Sequence, residues 1–275
     1  MGKFDGILIC TDLDGTLLRN DKSVSDENRE AIEYFKSEGG FFTFVTGRMP
    51  FYVADAYNKA VPNAPIGCVN GGGAYDMERG EYVYTTELPR EAFKLIDAVA
   101  AEIPDIGVQI SSFNNAYFSI DSTAMMHFRR VTRVPNLVRH WYDVDEPIAK
   151  VIFGDEDEGK LMRAAEIMDR HPLADSYSFI RSERTLYEIL PKGVTKGSCI
   201  PVIASAVGTT PRLTVGVGDY DNDIGMLREA GVGVAVANAR DSVKAVADYI
   251  TVSNEEHAIA RIIKDIEDGK ITFNP

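Results

Sequence analysis

Ile7-Leu8-Ile9-Cys10-Thr11-Asp12-Leu13-Asp14-Gly15-Thr16-Leu17-Leu18 is the run whose reading decides the fold. An apolar strand near the N-terminus ends abruptly in two carboxylates and a glycine. A buried strand has no structural use for two acids at its C-terminal tip, because a charge that cannot disperse into water must be paired or bound to a cation. The tip therefore reads as a reaction centre.

Outward from it, the chain reads strand, helix, strand over 6–11, 25–38 and 41–45. Ser25 is a helix N-cap, Asp26 and Glu27 suit the positive end of the helix dipole, and Gly39-Gly40 supplies the stop. Ile32 and Phe35 face the core. The second strand ends in Thr46-Gly47-Arg48, and an apolar piece at 66–69 runs into Asn70-Gly71-Gly72-Gly73.

From 85 to 187 the rhythm changes. A helix beginning near Pro89 carries Phe93, Ile96, Val99 and Ile103 on one face, followed by alternating strands over 106–110 and 116–120. After a loop-rich stretch holding Trp141 come a strand over 150–153, a helix over 158–170, and strands over 176–180 and 186–190. That order predicts a small α+β domain with a largely antiparallel sheet. Strand-helix alternation then resumes, with helices over 195–206, 223–230 and 243–246 and strands over 213–217, 232–236 and 249–252. The expected fold is α/β: a Rossmann-like, doubly wound parallel sheet core, residues 1–84 and 188–275, with an inserted α+β cap domain, residues 85–187.

The 275 residues suffice for this arrangement, and 29 basic against 42 acidic side chains leave a net charge of −13. Such a balance repels nucleic acid and anionic lipid at long range, so neither is expected as a partner. No apolar stretch approaches the roughly 20 residues of a membrane span, and the N-terminus lacks a signal-peptide or myristoylation pattern, so a cytoplasmic protein is expected. Cys10, Cys68 and Cys199 are isolated, which supports neither a disulfide framework nor a zinc site.

Ligands of doubly wound sheets bind at the carboxyl ends of strands. Three expected ends carry Asp12 with Asp14; Thr46, Gly47 and Arg48; and Gly218-Asp219-Tyr220-Asp221-Asn222-Asp223. An oxygen-rich cluster without His or Cys suits Mg²⁺, which keeps waters for a phosphate to replace. A calcium loop starting at Asp219 fails on detail, because its sixth position is Ile224 rather than Gly and its twelfth Ala230 rather than Glu. Lys196, opening a helix, would both pin a carboxylate and neutralise phosphate oxygens. Arg48 reads as an anchor for the helix after it, Asp221 as a solvated loop acid, and His127, His140, His171 and His257 form no ligand pair.

These segments, in this order, resemble the motifs of the haloacid dehalogenase superfamily of phosphohydrolases: DxDGT at 12–16, TGR at 46–48, the third-motif lysine at Lys196 and GDxxND at 218–223. The insertion between the second and third motifs, with Val234-Ala235-Val236-Ala237-Asn238-Ala239 near the end, is similar to the Cof-type branch with its type IIB cap. The resemblance implies a Mg²⁺-dependent phosphomonoester hydrolase of small phosphorylated metabolites, sugar phosphates first, working through an aspartyl-phosphate. Asp12 would be nucleophile and Asp14 acid/base. Asp12, the Asp14 backbone carbonyl and Asp219 would hold the metal. Leu13 through its amide, Thr46, Gly47, Lys196 and Asn222 would hold phosphate, with Asp223 orienting Lys196 or a metal-bound water. A monomer or homodimer is expected. The alternatives are a sugar phosphomutase and a noncatalytic phospholigand-binding module.

Overall fold

The computed structural model describes residues 2–132, 135 and 137–273, arranged as two compact units, one comprising the chain up to Tyr84 and from Thr195 onward, the other Thr85–Val194.

In the first unit five strands form an all-parallel sheet in the order Tyr249–Ile250, Val232–Ala235, Thr214–Gly218, Leu8–Thr11, Phe41–Phe44. Successive side chains of a strand point to opposite faces. Ile9 accordingly joins a cluster with Phe35, Phe42, Phe44, Ile259 and Ile262, while Leu8 and Cys10 join another with Cys199, Ile200, Ile203 and Met226. Both faces of the central strand are covered, which is the doubly wound arrangement the sequence predicts.

The first helix, Asp26–Ser37, is capped as expected: the Asn28 amide donates to Ser25 Oγ at 3.2 Å. A helix not foreseen from the sequence, Ala258–Glu267, packs beside it, with the Ala260 amide donating to Asn28 Oδ1 at 2.9 Å. The apolar piece Ile66–Cys68 pairs antiparallel with Gly73–Asp76 in a small sheet that Glu81–Thr85 completes, and meets the parallel sheet through an isolated bridge from Val45 to Gly67.

The second unit is a six-stranded sheet in the order Tyr177–Glu183, Leu186–Pro191, Ile148–Gly154, Gly107–Ser112, Ala116–Ile120, Leu137–Val138. It is antiparallel except for the last pair. Helices Phe93–Glu102 and Glu158–Arg170 cover one face, where Phe93, Ile96, Val99, Leu161 and Met168 pack on Val108, Ile110, Val151, Phe153 and Ile189. Part of the stretch expected to be loop-rich is the helix Thr123–Thr132. The expected boundary at 187 falls inside the strand Leu186–Pro191, which is paired on both sides, and this unit continues to Val194. Among the described residues no helix is long and apolar enough to cross a membrane.

Candidate active site

Parallel register brings three strand ends to one edge of the first unit's sheet. Thr11 stands opposite both Phe44 and Val217, so Asp12, Thr46 and Asp219 emerge side by side. The Asp12 amide still donates to Val217 O at 2.8 Å, which fixes its backbone before the chain turns away.

Lys196 lies in a short 3₁₀ turn, Lys196–Cys199, opened by a reciprocal cap between Thr195 and Ser198. Its ammonium, only 2% exposed, donates to Asp12 Oδ1 and Asp223 Oδ1, both at 2.6 Å. Asp223 Oδ2 in turn accepts from the backbone amides of Asp219 and Tyr220, at 2.9 and 3.0 Å. Both oxygens of Asp223 are therefore committed. Asp219 Oδ1 accepts from Thr16 Oγ1 at 2.8 Å. Among the described residues, the second oxygens of Asp12 and Asp219 take no hydrogen bond.

Gly15 makes this approach possible. Its φ is +82°, and a Cβ there would lie 2.6 Å from Asp219 Oδ2, so any other residue would be strained and would push the carboxylate aside.

The electrostatics follow from one cation among three acids. Burial pushes the Asp12 carboxyl up to about 8, with Asp223 and Asp219 adding to the rise and Lys196 opposing it. Burial also raises Asp219, to about 6, helped by Asp223 and opposed by the Thr16 hydrogen bond. For Lys196 burial acts downward, but Asp12 and Asp223 outweigh it and hold the ammonium charged. The cluster has a surplus of negative charge, which a bound cation would relieve.

Carboxylate oxygens of Asp12, Asp219 and Asp223 lie within 4.8 Å of one another, so the group could hold a metal ion. The donors fit a hard divalent cation: oxygen only, with the uncommitted oxygens of Asp12 and Asp219 as the available ligands, while Asp223 is occupied in fixing Lys196.

The other residues singled out from the sequence fall around this cluster. The Thr46 amide donates to Gly67 O at 3.0 Å, and its hydroxyl accepts from the Arg48 amide at 3.2 Å. A Cβ on Gly47 would lie 2.9 Å from Asn70 Oδ1. The Leu13 side chain is fully buried and its carbonyl accepts from the Leu18 amide at 2.8 Å. Asn222 Nδ2 donates to Asn70 Oδ1 at 3.2 Å.

Asp14 is separate from the lysine cluster. Its half-exposed carboxylate is ion-paired with Lys22 at 2.7 Å and Arg48 at 2.5 Å. Burial raises its carboxyl, but Arg48 and Lys22 together more than offset that and hold it below the usual carboxylate range. Arg48 thus holds Asp14, contrary to the helix-anchoring role read for it. Asp221 is not simply a solvated acid either: it accepts from Arg240 at 2.7 Å and from Ser242 Oγ. Lys22 was missed, and its only sequence signal is a turn cluster, Asn20-Asp21-Lys22-Ser23, in which it takes φ +64°.

A family model described as haloacid dehalogenase-like hydrolase matches residues 9–263. The chain is similar to a Bacillus subtilis (strain 168) protein named 5-amino-6-(5-phospho-D-ribitylamino)uracil phosphatase YitU, with 27% identity over 94% of this chain and 96% of that one. A solved haloacid dehalogenase-like hydrolase from Bacteroides thetaiotaomicron matches with a TM-score of 0.80 and 28% identity, covering 94% of this chain and 99% of that chain. A solved subclass IIB sugar phosphatase of the superfamily, 21% identical, shares the fold with a TM-score of 0.79 over 96% of this chain and all of the other. Strand-end aspartates, buried lysine and these likenesses agree: the chain belongs to the haloacid dehalogenase-like hydrolase family, in its Cof-type phosphatase branch.

Proposed function

We propose that this protein is a Mg²⁺-dependent phosphomonoester hydrolase that transfers phosphate to Asp12 and then to water. The observation that carries the reading is the buried Asp12 carboxylate, with one oxygen fixed by Lys196 and the other unbonded beside Asp219 among the described residues. With one oxygen bonded to Lys196 and the other available to the metal, the carboxylate is held in one orientation, which supplies part of the barrier reduction as prior orientation.

Asp12, Asp219 and the Asp14 backbone carbonyl would hold Mg²⁺, whose chemistry when bound is to screen the carboxylate from the phosphate and stabilise charge on the transferring group. Asp12 attacks phosphorus while the bond to the leaving oxygen breaks, and Asp14 delivers a proton to that oxygen. Asp14 then accepts a proton from the water that attacks the aspartyl-phosphate, and the bond to Asp12 breaks. Before the first step Asp14 has to leave its ion pairs with Lys22 and Arg48, which keep it ionised, and take up from solvent the proton that it then delivers. Lys196, Asn222, Thr46 and the Leu13 and Gly47 amides offer donors for phosphate oxygens, and Asp223 keeps Lys196 aimed.

The substrate proposed is a small metabolite carrying a phosphomonoester on a sugar or sugar-alcohol chain. The relative YitU, whose name specifies a phosphoribityl substrate, supports that class. The test is a screen of phosphorylated metabolites for inorganic phosphate release with Mg²⁺. Turnover that persists in Asp12→Asn, or with the metal chelated, would overturn the reading.

A further inference from the structure

Asn70 takes no part in the chemistry above, yet three segments of the first unit converge on the turn that carries it. Val69, Asn70 and Gly71 have φ of +54°, +53° and +88°, three successive left-handed residues. Left-handed backbone is tolerable for Asn and Gly but costly for a β-branched Val, and such strain persists only where the surroundings impose it.

The surroundings here are the candidate phosphate-holding loops. The Asn70 amide donates to Thr46 O at 3.0 Å and the Val69 amide to Arg48 O at 3.1 Å, so the strained turn is bonded directly to the Thr46-Gly47-Arg48 loop. The Asn70 side chain is 1% exposed, and its Oδ1 accepts from Asn222 Nδ2 at 3.2 Å. Gly47 passes so close that a Cβ would lie 2.9 Å from Asn70 Oδ1, and a Cβ on Gly71 would lie 1.9 Å from the carbonyl oxygen of Thr195, the residue before Lys196.

We infer that Asn70 is a positioning residue: its carboxamide fixes Asn222 against the Thr46-Gly47 loop, setting the spacing of the groups that receive phosphate. The inference rests on the phosphatase reading of those groups. The carboxamide suits the position chemically. It accepts from Asn222 without bringing a negative charge toward an anionic ligand, and Asn adopts the left-handed conformation more readily than other side-chain-bearing residues.

The test uses the protein with both units present and Mg²⁺ added, titrating inorganic phosphate by calorimetry alongside steady-state kinetics on a monoester. Asn70→Gly keeps the backbone conformation and removes the carboxamide. It is expected to weaken phosphate binding about tenfold or more and to raise KM, with its melting temperature close to that of the unsubstituted protein. Asn70→Asp, which keeps the shape and adds charge, is expected to weaken phosphate further. If Asn70 acts through Asn222, then Asn70→Gly placed on Asn222→Ala costs little more than Asn222→Ala alone, because residues acting on one interaction are not additive. Unchanged phosphate affinity in Asn70→Gly, including when its melting temperature falls, or effects that multiply in the double variant, would overturn the inference. Turnover by the unsubstituted protein tests the phosphatase reading separately, since phosphate binding is measured without it.

Discussion

Replacing Lys196 by Met would strand two buried carboxylates. The side chain is 2% exposed and its ammonium sits 2.6 Å from one oxygen each of Asp12 and Asp223, which are 10% and 0% exposed. Removing one partner of a buried ion pair costs about 3–5 kcal/mol, because the remaining charge has neither water nor counter-ion. The acidic cluster can escape part of that cost by taking up a proton, so the loss should depend on pH. Without Lys196, which opposes the rise at both Asp12 and Asp219, those two folded-state values climb further above the unfolded value of about 3.9. A raised carboxyl binds more protons folded than unfolded, so stability falls as pH rises between those two values. The deficit of Lys196→Met should therefore be larger near about pH 7 than near about pH 5, where Asp12 and Asp219 already hold their protons with Lys196 present, by up to about 1.4 kcal/mol per pH unit for the extra proton Asp219 retains. Urea unfolding with a metal chelator at both pH values measures this. Far-UV circular dichroism is the appropriate probe, since Trp141 lies in the other unit and its fluorescence would report there. A deficit below about 1 kcal/mol near neutrality, or one that does not shrink on acidification, would refute the account of Lys196 as the cation that makes the cluster tenable.

Asp14→Asn should slow hydrolysis of esters with poor leaving groups by about a hundredfold while sparing activated aryl phosphates, and equal losses on both would contradict the acid role. Gly15→Ala should displace the Asp219 carboxylate it abuts, so the Mg²⁺ concentration for half-maximal activity is expected to rise at least about tenfold, read from a metal titration. Asp265, fully buried between Arg261 at 2.8 Å and Lys270 at 2.7 Å, has its carboxyl raised by burial but lowered more by those partners and by Tyr249. A lowered carboxyl stabilises above its unfolded value and loses that contribution as pH falls through its folded value. Asp265→Asn should therefore cost about 2 kcal/mol near neutrality and progressively less below about pH 4, measured by denaturant titration.

Much of the first unit was legible because chemistry and secondary structure coincide at strand ends: Asp12, Thr46 and Asp219 each follow an apolar run. The helix Asp26–Ser37 was legible from Ser25, which carries the capping signal. The helix Ala258–Glu267 shows apolar residues at 259, 262, 263 and 266, but its start is His257 in a left-handed conformation rather than a Ser, Thr or Asp cap. The strand Glu81–Thr85 alternates exposed and half-buried positions, leaving little apolar contrast to read. What the motifs could not convey is how long side chains choose partners. Lys22 and Arg48 meet Asp14 through flexible stems whose reach many neighbours could satisfy, and the Asn70–Asn222 contact joins residues 152 positions apart.

The register of Leu8–Thr11 against Thr214–Gly218 also dictates when the acidic centre can come into being. The strand bearing Asp12 is made about two hundred positions before its partner strand, and Lys196 is made only shortly before that partner. During synthesis Asp12 must wait, hydrated and unpaired, until Lys196 and that partner strand have emerged, and closing so large a loop is slow when its contacts are non-local. Prior collapse of residues 85–194 would shorten that loop from within. The insertion then serves assembly: a mutation that delays its folding should lower the yield of active enzyme even where the finished protein is unaltered.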